Sequence, residues 1–150
     1  MHLVSPMSGI VLALSDVPDK VFATELIGPG LALDPGQGDV VEVCAPVDGR
    51  IGVLFPHAFA IEAADGRTVL VHLGVDTVEL TGDGFEVHVV TGQRVSAGEL
   101  LITWSPARVL ASGRSAFCPV VVLQADAGAL TPLATVGRPV ARGAPLFDWT

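Results

Sequence analysis

The feature that most constrains this chain is a short apolar run that keeps recurring, bounded each time by Gly, Pro or Asp. Such runs stand at Ile10-Val11-Leu12-Ala13-Leu14, Val40-Val41-Glu42-Val43, Arg50-Ile51-Gly52-Val53-Leu54 and Thr68-Val69-Leu70-Val71-His72. Others follow at Phe85-Glu86-Val87-His88-Val89-Val90, Leu100-Leu101-Ile102-Thr103-Trp104 and Val120-Val121-Val122-Leu123. Runs this short suit strands, and many of them at even spacing read as an all-β sandwich or barrel. Helical periodicity is almost absent. One or two helical turns are expected at Pro106–Ser112, where proline suits the first helical position, and at Pro18–Ala23. The 17 glycines and 11 prolines supply the punctuation. No linker divides the 150 residues, which are enough for one domain, 1–150, with its own core.

Two segments repeat. Pro6-Met7-Ser8-Gly9-Ile10-Val11 resembles Pro46-Val47-Asp48-Gly49-Arg50-Ile51, forty residues on. Gly92-Gln93-Arg94-Val95-Ser96-Ala97-Gly98 through Ile102 resembles Gly137-Arg138-Pro139-Val140-Ala141-Arg142-Gly143 through Phe147, forty-five on. Gly98 and Gly143 suit the positive-φ position of a tight turn between strands. The pattern points to a duplicated β motif whose copies close one core.

Composition narrows the functional classes. Half the residues are hydrophobic and 16% are charged, which excludes a disordered chain. No window approaches the ~18–20 consecutive apolar residues of a membrane span. Met1–Pro6 lacks the basic region of a signal peptide, so a cytoplasmic location is expected. Sixteen Asp and Glu against eight Lys and Arg give a net charge of −8. There is no basic stripe, so a nucleic-acid partner is not expected. The acidity suits a basic protein partner, and solubility accounts for it equally. Cys44 and Cys118 lie far apart without a C-x-x-C spacing and read as reduced thiols. The phosphate-cradling and nucleophile-elbow glycine motifs are missing.

Chemistry concentrates between Pro56 and Asp76. Asp65-Gly66 between apolar runs signals a hairpin. With those two residues as its loop, Phe59 faces His72 and His57 faces Gly74, which leaves room for a third group. His57, Phe59, Leu70 and His72 then share one face, with the two histidine backbones roughly 7–8 Å apart. A loop of odd length would shift the register and is expected to separate the rings. A neutral imidazole, with an ordinary pKa near ~6.5, is a nucleophile at cellular pH. One ring can attack a phosphoryl group while the other holds its oxygens. Weak zinc binding at His57 and His72, or two ordinary histidines on a sheet surface, fit the same spacing. His72-x-x-x-Asp76 also matches half the zinc site of lysostaphin-like endopeptidases, but their downstream H-x-H is missing. A catalytic zinc needs three protein ligands, so none is required here. His88, in an alternating strand, and His2, at a frayed terminus, are expected to be structural.

Ala45-Pro46-Val47-Asp48-Gly49, His57-Ala58-Phe59, and above all Val71-His72-Leu73-Gly74-Val75-Asp76-Thr77-Val78-Glu79-Leu80 with Gly82-Asp83-Gly84-Phe85 carry a family resemblance. Val17–Ala23 and Gly28-Pro29-Gly30 extend it. By these residues the chain resembles, essentially end to end, the glucose-type enzyme IIA of the bacterial phosphoenolpyruvate:sugar phosphotransferase system. The resemblance implies a duplicated hybrid motif, a flattened antiparallel β-sandwich. It implies a phosphocarrier without a cofactor. The small carrier HPr donates a phosphoryl group to Nε2 of His72, His57 supports the transfer, and a cysteine of an enzyme IIB domain receives it for sugar phosphorylation. Asp19 and Asp76 match acids that meet the basic surface of HPr, where opposed charge speeds encounter. Glu79 matches a nearby acid. Val21, Phe22, Leu26, Ile27, Phe55, Leu70 and Val78 match an apolar ring that keeps water from the labile P–N bond. A regulatory protein of the same fold, binding permeases or metabolic enzymes by phosphorylation state, is the alternative.

The sequence departs from the family in three places. The amphipathic membrane-touching tail of some members has no counterpart, so membrane insertion is not expected. The segment before His57 is shorter, Leu54-Phe55-Pro56, and lacks the threonine often found two residues ahead of the supporting histidine. Thr24, followed by Glu25, stands where an acid is common.

Overall fold

A computed structural model describes residues 1–150. Fourteen strands form three antiparallel sheets. In chain order they are β1 (His2–Val4), β2 (Gly9–Ala13), β3 (Gly30–Asp34), β4 (Val41–Cys44), β5 (Gly49–Phe55), β6 (Ala58–Glu62) and β7 (Thr68–His72). There follow β8 (Phe85–Val87), β9 (Arg94–Val95), β10 (Leu100–Trp104), β11 (Cys118–Val122), β12 (Leu130–Pro132), β13 (Pro139–Val140) and β14 (Pro145–Trp149). The large sheet runs β13-β2-β3-β11-β7-β6-β5-β9, and two three-stranded sheets run β1-β14-β12 and β4-β10-β8. All three sheets stay open, so the molecule is a sandwich and the barrel alternative falls away.

Both expected helices are present. Helix α1 covers Lys20–Ala23 and starts later than its proline, because the Asp19 carboxylate caps it by accepting from the Val21 N–H at 2.9 Å. Helix α2 covers Pro106–Ala111, with Pro106 in its first turn and the Ser105 hydroxyl accepting from the Arg108 N–H.

The duplication is wider than the matching motifs. β8 and β10 recur as β12 and β14 at a constant offset, down to a shared irregularity: register slips between Leu100 and Ile102 against β4, and between Leu3 and Val4 against β14. The chain's two tryptophans, Trp104 and Trp149, occupy equivalent places, paired with Phe85 and Leu130. Edge bonds repeat as well. Gly92 donates to the Ile51 carbonyl as Gly137 donates to Val11, and Gly98 donates to Ala45 as Gly143 donates to Ser5. The copies also clasp each other, Val4 N–H to Pro46 and Cys44 N–H to Pro6. Gly98 and Gly143 do have positive φ, at 90° and 84°.

Alternation sets the core. Phe59, Ile61, Val69, Val71, Val120 and Val122 enter the main cluster between the sheets. A second, smaller cluster of Leu14, Val17, Phe22, Ala32, Val75 and Val121 lies under α1. Strand β11 feeds both, which is why Val120-Val121-Val122 reads as an unbroken apolar run. Cys44 and Cys118 are buried free thiols, and burial pushes both thiols up.

The chain termini meet. The Met1 amine donates to the Trp149 carbonyl at 2.6 Å, and the Trp149 N–H donates to the Met1 carbonyl at 2.7 Å. His2, expected at a frayed end, therefore sits in paired β1, with Nδ1 2.8 Å from Asp148. The run at Phe85–Val90 stops as a strand at Val87. His88 is exposed beyond it, with Nε2 2.8 Å from the Thr103 hydroxyl.

Candidate functional site: a histidine pair on an open apolar face

The β6–β7 register differs by one residue from the expected one. Glu62 pairs with Thr68, Phe59 with Val71 and Ala58 with His72, because the connecting loop runs from Ala63 to Arg67. Phe59 therefore points into the core, away from His72 and Leu70. The slip does not separate the histidines. β5 and β6 are joined by a tight turn of Pro56 and His57, with Phe55 opposite Ala58. A turn residue is released from strand alternation, and the His57 ring lies 5.1 Å from the His72 ring, at 67° between planes. The His57 carbonyl accepts from the Leu73 N–H at 2.7 Å, tying the turn to the end of β7.

Gly74 does not face His57 and leaves no free space. It adopts φ +79°, and a Cβ there would lie 2.7 Å from Thr77 Cγ2 and 2.8 Å from the Ser115 carbonyl. Its own carbonyl oxygen lies 2.6 Å from His72 Nδ1. A carbonyl only accepts, so Nδ1 carries the proton and Nε2 keeps its lone pair. The turn is braced from behind. The buried Thr77 hydroxyl donates to the Leu73 carbonyl at 2.7 Å, and the Val75 N–H donates to Ser115, just after α2. Asp76 is itself left-handed at φ 59°, a conformation its short side chain tolerates. The glycine in H-L-G was a sequence signal for this turn. The parts played by Thr77 and Ser115 had none.

Burial lowers the pKa of both imidazoles, so both are neutral at neutral pH. For His57 the neighbouring His72 pushes the same way. For His72 the Gly74 carbonyl, Asp19 and Asp76 oppose burial in part, which places both acids within electrostatic reach of the ring. Phe22 packs on His72 with ring centroids 5.4 Å apart, and Phe55 stacks on His57 at 5.6 Å and 26°.

The expected rim divides by exposure. Val21, Leu26, Phe55 and Val78 are exposed, Leu26 by 74%, and can meet a partner. Ile27 and Leu70 are half-buried against the cluster under α1, and Phe22 is buried within it as a wall of the site. Asp19, expected at the rim, caps α1. Glu79 is turned toward Arg114, at 3.6 Å. No third His, Cys, Asp or Glu groups with the two histidines into a metal cluster, so the donor set falls short of a catalytic zinc site. No helix is long and apolar enough to cross a membrane.

A neutral imidazole with one nitrogen locked as donor and the other free, set on an open apolar face, is the equipment of a phosphocarrier protein. The family model for the phosphoenolpyruvate-dependent sugar phosphotransferase system, EIIA 1, matches residues 1–128, and the chain belongs to that family. A glucose-specific EIIA component from Bacillus cereus is 41% identical over 143 residues, covering 94% of this chain and 84% of its own length. The glucosamine-specific EIICBA component of Bacillus subtilis is 44% identical over 118 residues, covering 77% of this chain and 18% of that longer protein. Glucose permease IIA from Mycoplasma capricolum superposes with a TM-score of 0.86 at 32% identity, covering 98% of this chain and 94% of that one. The chain is thus a phosphocarrier component that works with HPr and an enzyme IIB domain.

Proposed function

We propose that His72 is the phosphoryl acceptor and His57 its supporting histidine. The observation that carries this is the 2.6 Å contact from His72 Nδ1 to the Gly74 carbonyl, which leaves Nε2 as the nucleophile. The Nε2 lone pair forms the new P–N bond as the P–N bond of phospho-HPr breaks, and the electron pair returns to the donor's imidazole. As the His72 ring gains positive character, its Nδ1–H bond to Gly74 strengthens. His57 donates an N–H to a phosphoryl oxygen, and the arriving negative charge favours its protonated form. Transfer onward to an enzyme IIB cysteine reverses these movements, with the thiolate as nucleophile. Asp19, Asp76 and the exposed apolar rim form the face on which both partners dock, and Glu79 flanks it. The reaction takes place in the cytoplasm, within a single domain of residues 1–150.

The test is intact mass after incubation with phosphoenolpyruvate, enzyme I and HPr under mildly alkaline conditions. One acid-labile phosphoryl group is expected, absent in His72→Gln. His57→Gln is expected to accept the group yet pass it on poorly. Phosphorylation of His72→Gln, or undiminished onward transfer by His57→Gln, would overturn these assignments.

A further inference from the structure

We propose that Phe55 is the positioning residue of His57: its stacked ring sets the imidazole plane and seats the imidazolium that forms when His72 carries its phosphoryl group. The proposal rests on the roles assigned to His57 and His72 above, and it starts from an absence of polar restraint. His2, His72 and His88 each have a ring nitrogen bonded within the protein, to Asp148, Gly74 and Thr103. His57 has no such partner, although it is buried. Its ring meets only two other rings, His72 edge-on at 5.1 Å and Phe55 nearly parallel at 5.6 Å.

The tight turn makes this contact possible. Phe55 is the last residue of β5, opposite Ala58, and Pro56 alone separates it from His57. The position two residues ahead of His57 thus offers the imidazole an aromatic face and no hydroxyl. Phe55 is 53% exposed, so core packing does not account for its size. An imidazolium within ~6 Å of an aromatic face gains cation–π attraction, whereas a neutral imidazole gains only dispersion. The contact is therefore stronger in the phosphorylated state, where the negative charge on His72 favours uptake of a solvent proton by its neighbour. The other charges facing the pair are Asp19, which caps α1, and Asp76, in the loop after β7, and both act on His72.

The test is imidazole titration by NMR in the wild type, Phe55→Leu and Phe55→Tyr, without and with phosphorylation, together with steady-state transfer to an enzyme IIB acceptor. Phe55→Leu should lower the His57 pKa by about half a pH unit. Onward kcat should fall by about three- to tenfold at saturating acceptor, with Phe55→Tyr restoring both. An unmoved His57 titration, with only the KM for acceptor raised, would leave Phe55 a docking contact of the rim and nothing more, and would overturn the proposal. The titration in unphosphorylated protein needs no transfer. A chain whose His72 accepts nothing would sink the phosphocarrier roles, while that titration would still decide what Phe55 does to His57.

Discussion

The two halves of the duplication share their edge bonds, their register slip and their paired glycines, yet they connect equivalent strands in opposite ways. In one half, β5 reaches β6 through Pro56 and His57 alone. In the other, β2 reaches β3 through residues 14–29, long enough to fold α1 over the sheet and bring Phe22 and Asp19 to His72. The short connection presents a histidine, and the long one builds a wall and supplies a charge. Repetition makes the scaffold here, and the histidine pair sits where the repetition is broken.

The most forceful way to break this contrast is to remove the wall. Phe22→Ala should cost about 3 kcal/mol, the lower end for a buried Phe since its cluster is small. It should also raise the His72 pKa toward its ordinary value as water enters. Urea denaturation and NMR titration check the two effects, and an unchanged His72 titration would mean that the long connection does not desolvate the site. Next comes Gly74→Ala, expected to cost about 2 kcal/mol from its left-handed backbone and the crowding by Thr77 and Ser115. Its His72 should show mixed tautomers in 15N spectra, and a retained single tautomer would count against the carbonyl lock. A sharper measurement compares equivalents. Gly98→Ala and Gly143→Ala, both at positive φ with open space around them, should each cost about 1 kcal/mol. Clearly unequal losses would show that the halves are less alike than their bonding.

The smallest effect is one of pH. Both site histidines have folded pKa values below their unfolded value of about 6.5. The unfolded chain then binds more protons as pH falls, so their contribution is fully present above about pH 6.5 and is lost as pH drops through the folded values. Denaturation midpoints for the wild type should fall between about pH 7 and pH 5. The fall should be shallower for His57→Gln, and an equal slope would remove His57 from the balance.

Much of this architecture was legible in the sequence because strands bounded by Gly and Pro advertise themselves. The runs at Thr68–His72 and Leu100–Trp104 coincide with strands β7 and β10. Strands such as β9 and β13 were not, since two residues held by edge bonds leave no periodicity to read. The histidine pairing followed for a different reason than the expected one. Asp65-Gly66 suggested a minimal loop, but the Ala63 N–H bonds Arg67 and shifts the register. Turn geometry at Pro56-His57, which alternation rules do not describe, restores the approach of the rings. The tautomer lock was invisible because it depends on where a main-chain oxygen points. The hairpin signal and the motif resemblance both singled out His57 and His72, while the stacking of Phe55 and the burial of Phe22 depend on three-dimensional packing that no spacing shows.

The hydrogen-bonded meeting of Met1 with Trp149 has a consequence for how this unit can be joined to others. Both ends of the chain leave through one doorway, so a tether added upstream or downstream departs from the same spot. An upstream extension would replace the amine with an amide N–H able to make the same bond to Trp149. Joining the two ends directly and opening the chain at an exposed turn would give a circular permutant with its ladder intact.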